Sequence, residues 1–404
     1  MSEPLIIVGN GMAATRLVDE LAQQALGRYA IAVIGDEPRL AYNRVLLSSV
    51  LAREVSKSDV ELRSADWWRK RGVTLLYGHK AVGIDPEIRR VRLANGAALP
   101  FAKLVLATGS QAIRLQLPGM DLPGVVTFRD LGDVARIDAA AVPGSSAVVI
   151  GGGLLGLEAA YGLAKAGVAV SVVHLMDRLM ERQLDGRAAA MLKQTLEGRG
   201  IAVHLNAETA AIAGKRRVEG VVLKGGRTLS ADLVVMAVGI SPNVSLAHAA
   251  GVDVGRGIMV DDMMQTSRAG IYAIGECAEH RGICYGLVEP AYEQAKALAG
   301  HLAGRDARYP GSVVATNLKV SGVNVFSAGD FMGAPGAEQV VLRDRGLGIY
   351  KKLVIAEGRL TGAVLFGDTI DGTWYLDLIR NRAPITAIRD DLMFGRVMAE
   401  RQAA

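Results

Sequence analysis

The chain uses one device twice: an apolar run, a glycine turn and a stretch of helix formers. It reads LIIVGNGMAATRLVDEL near the start and VVIGGGLLGLEAA from Val148. Each copy calls for a buried strand that ends in a tight turn and an amphipathic helix. In the second copy Gly151 permits the turn, Gly153 lets a pyrophosphate approach the backbone, and Gly156 lets helix and strand pack closely. In the first copy Gly9 and Gly11 take the first two roles, and Ala14 stands where a third glycine would. The free N–H groups of the first helical turn belong to Met12 and Ala13 in one copy and to Leu154 and Leu155 in the other. With the positive end of the helix dipole they face the phosphates, worth about 0.3–2 kcal/mol. One such signature marks any strand–turn–helix, whereas two, each followed by a second strand, mark two dinucleotide sites. The expected fold class is α/β, with two Rossmann-like dinucleotide-binding domains.

The residue after each second strand separates the two sites. IAVIG leads to Asp36, with Glu37 beside it, placed to accept hydrogen bonds from a ribose diol. This suits FAD. VSVV leads instead to His174, where an acid would favour NADH by repelling a 2′-phosphate. No acid stands there, and Arg178 and Arg182 are near, so both NADH and NADPH stay open. The two arginines also suit a solvated helix face.

Composition narrows the setting. A chain of 404 residues has room for two or three domains. The net charge of +5 is spread without a polybasic run, which argues against nucleic acid and leaves an acidic protein partner open. The start, MSEPLIIVGNG, resembles neither a signal peptide nor a membrane span, and no later apolar run is long enough for one. A cytoplasmic location is expected. Only two cysteines occur, Cys277 and Cys284. They exclude a Cys-ligated iron–sulfur cluster or zinc ribbon within the sequence, and no metal is expected.

Further along, KLVLATGS ends a buried strand at Ala107, with a tight turn at Thr108 and Gly109. LPGMDLPGVVTFRDL reads as a linker. ADLVVMAVGISPN repeats the ATG turn as AVG, around Val238 and Gly239. From about Val244 the chain returns to the first domain. IYAIGECAEHRG is a strand ending at Gly275, with Glu276 placed either for ribityl hydroxyls or to cap a following helix. A helix from Pro290 follows, aimed at the flavin ring. Beyond Pro310 come VVATNLKV, VNVFSA, EQVVLR, IYKKLVIA and LTGAVLFG, short alternating strands closed by TWYLDLIRN. The expected domains are 1–112 with 244–312 for FAD, 113–243 for NAD(P)H, and 313–404 as a small α+β unit with an antiparallel sheet.

IIVGNGMA, LVLATGS, VVIGGGLLGLEAA, MAVGISPN and IYAIGECA together resemble the two-dinucleotide flavoprotein superfamily of glutathione-reductase-like fold. Within it, RLAYNRVLLSS, LMERQLD, QTSRAGIYAIGECAEHRG and YKKLVIAEGRLTGAVLFGDT resemble the flavoprotein portion of the assimilatory NAD(P)H nitrite reductase large subunit, with ferredoxin and rubredoxin reductases as relatives. The resemblance assigns Asp36 to the adenosine ribose and Ala14 to the phosphates of FAD. It places Arg44, Ser49 and Arg129 along the pyrophosphate and flavin, the Val82 backbone at the adenine, Glu276 at the ribityl chain and Pro290 at the ring. Arg44 and Arg129 also suit exposed charges. Ser49 stands where the reductases carry a lysine. For the nicotinamide the resemblance assigns Gly151, Gly153, Leu155 and Gly156 to the phosphate loop, Glu158 to the carboxamide, and His174 and Gly239 to the flanks.

The cysteine pair that disulfide reductases on this scaffold carry early is missing from AYNRVLLSSVL. Electrons are therefore expected to leave the flavin directly for a separate acceptor protein, an iron–sulfur carrier or a molybdenum reductase component of nitrate or nitrite assimilation. The C-x6-C spacing of Cys277 and Cys284 leaves a redox pair open, but both are expected to be reduced, with Cys277 packed under the flavin chain. A nucleophile or general base is not needed, so no residue is assigned as catalytic. Two other readings stay open: an NADH oxidase, and a flavin-bearing binding protein of the apoptosis-inducing-factor kind. A homodimer is also open.

Overall fold

Each glycine-loop strand lies at the middle of a five-stranded parallel sheet in the computed structural model, which describes residues 2–25, 27–320 and 322–402. The first sheet runs Ile271–Ala273, Lys103–Leu106, Glu3–Val8, Tyr29–Gly35, Thr74–Tyr77. The second runs Val125–Thr127, Leu233–Met236, Ser146–Ile150, Ala169–Val173, Ala202–His204. The two orders are the same, position for position. In each, the edge strand beside the closing strand comes from outside the unit. Both faces are covered, which explains the unbroken apolar runs. Leu5, Ile7 and Val105 pack with Leu17 and Leu298 of the helices Met12–Gln24 and Val288–Leu302. Ile6, Val8, Leu104 and Leu106 pack with Ile84, Val91 and Leu93 on the other face.

Two expectations are corrected here. The segment read as a linker contains the strand Val125–Thr127, paired with Val234–Met236. Its prolines and glycines end at Gly124, and the β-branched triplet Val-Val-Thr that follows suits a sheet edge. The helix expected from Pro290 begins at Val288, so the proline sits in the first turn, where its missing N–H costs nothing.

Each parallel sheet carries a three-stranded antiparallel sheet: Ala81–Asp85, Arg90–Leu93, Ala98–Pro100 in one half and Thr209–Ala213, Gly220–Leu223, Thr228–Ser230 in the other. The chain passes from one half to the other and back through Ser110–Ala112 and Ile240–Pro242, which pair antiparallel. Asn243 and Thr108 lock this ribbon: Asn243 Nδ2 donates to Thr108 O, and Thr108 Oγ1 donates to Asn243 O, each at 2.9 Å.

The five strands read beyond Pro310 form one antiparallel sheet, ordered Ala315–Val320, Val323–Gly329, Arg359–Phe366, Ile349–Ala356, Glu338–Asp344. One face, with Phe326, Leu353 and Leu365, packs with Tyr375 and Leu376 of the helix Gly372–Arg380. The other, with Val325, Tyr350, Val364 and Phe366, joins the core of the second half. Asp185 secures that junction. Its carboxylate caps the helix Gly186–Glu197 by accepting from Ala188 N at 3.0 Å, and accepts from Tyr350 Oη at 2.6 Å. The buried Lys352 ammonium lies 3.9 Å away. Asp185→Ala removes a cap and leaves a phenol and an ammonium without their acid. A loss of about 2–4 kcal/mol is expected in denaturant unfolding, with Asp185→Asn intermediate.

Candidate functional site

The three positions of each glycine signature differ in what surrounds them. Gly9 (φ +118°) and Gly151 (φ +120°) have a conformation that side chains rarely adopt, and a Cβ would collide with Ala107 O and Ala237 O respectively. At Gly156 a Cβ would run into Gly151 O. Ala14 holds the equivalent place, fully buried. Gly11 (φ −124°, ψ −164°) and Gly153 (φ −81°, ψ 179°) are different: their backbone is extended and suits any residue. A Cβ at either would meet nothing within 4 Å. The chain itself gives no reason for glycine at these two places. What fits is a group from outside, brought against the backbone, and the space each would fill is open.

The helix ends agree. Of the five described helices with ten or more residues, Leu131–Ala140 and Gly186–Glu197 are capped by Asp130 and Asp185. Met12–Gln24, Leu154–Lys165 and Val288–Leu302 have no side-chain cap. These three are the helices expected to face a cofactor, and their first-turn donors are left for an anion or a carbonyl. Gly275 (φ +81°) brings its backbone so close to the first of them that a Cβ would lie 3.0 Å from Ala13 Cβ. Its N–H donates to the buried Gln294 Oε1 at 2.7 Å.

Charged residues of both halves form a chain across the junction between them. Arg44 pairs with Glu37, stacks on Tyr42 at 4.9 Å, and donates from Nη1 to Arg129 O at 3.1 Å. Arg129 pairs with Glu276, and Ser110 Oγ donates to the same carboxylate oxygen at 2.8 Å. Neither arginine is an exposed charge, since Arg129 has 14% of its side chain exposed and Arg44 31%. Nor does Glu276 cap a helix, because the strand Ala278–His280 follows. Asp36 lies at the end of Tyr29–Gly35, exposed, with Lys80 at 3.5 Å. Val82 falls at a bulge: Ala81 pairs with Leu93 and Gly83 with Arg92, so the extra residue has no cross-strand partner. Ser49 is half-buried in the helix Leu47–Leu51. Its neighbour Ser48 is the residue whose hydroxyl lies beside the Glu158 carboxyl, where it favours the charged form, and nothing in the sequence signals that partner.

Burial without a cation nearby pushes the Glu158 carboxyl up to about 7. The native state therefore holds a proton that the unfolded chain has released above pH 4.5. Stability should fall as pH rises from about 4.5 to 7 and then level off; in Glu158→Gln protein this decline should disappear from melting curves taken across that range.

In the second half Val238 is half-buried and Gly239 exposed with φ +115°. Leu154 and Leu155 are half-buried at the helix start. His174 directly follows Ala169–Val173, but no acid-free space surrounds it. Gly152 N–H donates to its Nδ1 at 3.0 Å, and its Nε2 lies 3.1 Å from Glu181 Oε2. Position 174 itself carries no acid, as expected, but the carboxylate of Glu181, seven residues later, reaches its ring. Arg178 and Arg182 are not on a helix face either. They lie in the irregular turn before Gly186, Arg178 paired with Asp177 at 3.2 Å and Arg182 exposed.

Cys277 is buried, with Sγ donating to Leu106 O and Ile274 O, and neither cysteine is in a disulfide. Among the described residues no group of three or more His, Cys, Asp or Glu side chains could hold a metal ion. Among them, too, no helix is long and apolar enough to cross a membrane.

Comparison with known proteins adds the lineage. Residues 3–300 match the pyridine nucleotide-disulphide oxidoreductases, and residues 315–383 match the C-terminal domain of rubredoxin NAD+ reductase. The chain is 46% identical over 383 residues to the NAD(P)H nitrite reductase of Bacillus subtilis (strain 168), which takes in 95% of this chain and 48% of that protein. It is 42% identical over 390 residues to the assimilatory nitrate reductase electron transfer subunit of the same organism, 96% of this chain and 51% of that one. The chain thus spans about half the length of these two relatives. Among solved structures, the ferredoxin reductase for the CYP199A2 system from Rhodopseudomonas palustris superposes with a TM-score of 0.89 at 28% identity, with 100% of both chains covered.

Proposed function

Since the chain belongs to the pyridine nucleotide-disulphide oxidoreductase family, we propose that it is an FAD-dependent NAD(P)H oxidoreductase that delivers electrons to a separate redox protein. The observation that carries this reading is the pair of open cradles at Gly11 and Gly153, each at an uncapped helix, in two halves bridged by the ion pair of Arg129 with Glu276. Residues 1–112 and 244–312 would hold FAD, 113–243 the nicotinamide dinucleotide, and 313–404 would form the third unit.

FAD, when bound, supplies the conversion of a two-electron hydride donor into single-electron steps. The protein's own work is binding and alignment. Gly11, Met12 and Ala13 offer backbone donors to a pyrophosphate, and the exposed Asp36 accepts from ribose hydroxyls. The unpaired Val82 backbone suits the edge of an adenine. Arg44 and Arg129 stand along the cleft as cations, already oriented by Glu37 and Glu276, so little side-chain freedom is lost on binding. Glu158, in its protonated form, can donate to a carboxamide oxygen and hold the nicotinamide ring in register. Val288–Leu302, with no side-chain cap, would offer its N-terminal donors to the flavin.

The relatives suggest the acceptor. One is named as an electron transfer subunit of assimilatory nitrate reductase and another as a ferredoxin reductase. An iron–sulfur or molybdenum component of nitrate or nitrite assimilation, in the cytoplasm, is our reading for this chain. The deciding experiment is anaerobic mixing of FAD-loaded protein with NADH or NADPH, followed by addition of candidate acceptors. Rapid bleaching of the flavin, then reoxidation accelerated by a nitrate- or nitrite-pathway component, is expected. If no nicotinamide bleaches it, the reading is wrong; if only rubredoxin reoxidises it, the pathway is wrong.

A further inference from the structure

His174 stands where the second strand of a dinucleotide cradle ends, the position from which a carboxylate grips the adenosine ribose. The imidazole is fixed rather than free to turn. Its Nδ1 accepts the Gly152 N–H at 3.0 Å, inside the phosphate loop itself. A Cβ on Gly152 would lie 2.7 Å from His174 Cγ and 2.7 Å from Leu179 Cδ2, so loop, ring and turn are in contact. Because Nδ1 accepts, the ring proton is on Nε2, which donates to Glu181 Oε2 at 3.1 Å. The ring thus relays from the phosphate loop to a carboxylate whose side chain remains 26% exposed, against 10% for the histidine.

From this geometry we propose that Glu181 is the group that selects NADH over NADPH, with His174 as its positioning residue. The proposal rests on the reading of the second cradle as a nicotinamide dinucleotide site. An ionised carboxylate has acceptor capacity to spare after one bond from the imidazole, enough for the hydroxyls of a ribose diol. A 2′-phosphate at the same place would bring like charges together and remove the 2′-hydroxyl donor, leaving only the 3′-hydroxyl, which is discrimination by an introduced repulsion.

The competing groups are the two arginines of the same turn. Counting the turn's charges does not decide, since Asp177 and Glu181 balance Arg178 and Arg182. Placement does. Arg178 Nη1 is paired with Asp177 at 3.2 Å, although its buried Nε has no partner, and Arg182 is exposed with no partner among the described residues. Glu181 alone of the four is tied to a side chain that touches the phosphate loop.

The test uses the FAD-loaded full chain and calorimetric binding of ADP-ribose and of 2′-phospho-ADP-ribose, together with flavin bleaching by NADH and NADPH. The unmodified protein should bind ADP-ribose the more tightly. Glu181→Gln should narrow the ratio of the two dissociation constants on the order of 10-fold. His174→Ala should narrow it too, by releasing Glu181. A purely structural histidine would lower both affinities together and leave their ratio alone. The strongest arm is rescue: His174→Asp combined with Glu181→Gln puts a carboxylate back at the strand end and should restore the ratio.

An unchanged ratio in Glu181→Gln overturns the proposal while leaving the oxidoreductase intact. So does tighter binding of the 2′-phosphate by the unmodified protein that is lost in Arg178→Ala or Arg182→Ala. Failure of both ligands to bind, with no bleaching by either nicotinamide, removes the proposal and the function it rests on together.

Discussion

Gly11→Val protein should purify folded and colourless, and should stay colourless when offered FAD. Folding is spared because position 11 has extended backbone that valine adopts readily, and its Cβ meets no protein atom within 4 Å. Flavin is lost because the same open space is where a pyrophosphate must come against the helix N-terminus, and two methyl groups would occupy it. Displacing the phosphates from their donors should weaken FAD on the order of 1,000-fold, about 4 kcal/mol. Absorbance of the purified protein and a melting curve check the two halves of the statement. The control is Gly9→Val, where positive φ and the Ala107 carbonyl forbid the side chain. That variant should be destabilised outright, so colour and fold should be lost together. A yellow Gly11→Val protein would refute the assignment of the first cradle.

Gly153→Val is the same experiment on the other half with the opposite phenotype. Its position is again extended and open, so the fold should survive. The first cradle is untouched and the protein should remain yellow. Bleaching by either nicotinamide at a fixed sub-saturating concentration should slow on the order of 1,000-fold, and the loss should appear as weaker binding of ADP-ribose. Gly156→Val separates packing from binding, because its Cβ would strike Gly151 O inside the protein. A colourless Gly153→Val protein would mean that the two cradles are not independent.

How much of this could be read from the sequence depends on how local each feature is. The two glycine turns, the ATG and AVG turns and the five late strands are short-range patterns, and each lies where its residues indicate. The fold class follows from them. Val125–Thr127 was hidden because three residues beside a Pro-Gly-rich stretch carry too little periodicity to outweigh it. Glu181 was missed for another reason: the expected acid position is defined by sequence distance from the strand, and a turn that folds back delivers a carboxylate from seven residues away. Ser48 and Ser49 differ in which way a short helix faces, and that is set by packing of Leu51 against Gly162 of Leu154–Lys165. The pairings of Arg44, Arg129 and Glu276 span from 85 to 147 residues of sequence. No pattern within a window of a dozen residues carries them.

The laced ribbon of Ser110–Ala112 and Ile240–Pro242 has a consequence for how such a molecule can be taken apart. Ala112 and Ile240 are direct neighbours across the pair, so everything between them departs and re-enters at one spot. Topologically that stretch is a cassette hung from a single doorway. A two-residue hairpin could close the doorway without shifting any strand of the first parallel sheet, and an unrelated module with adjacent termini could be hung there in its place.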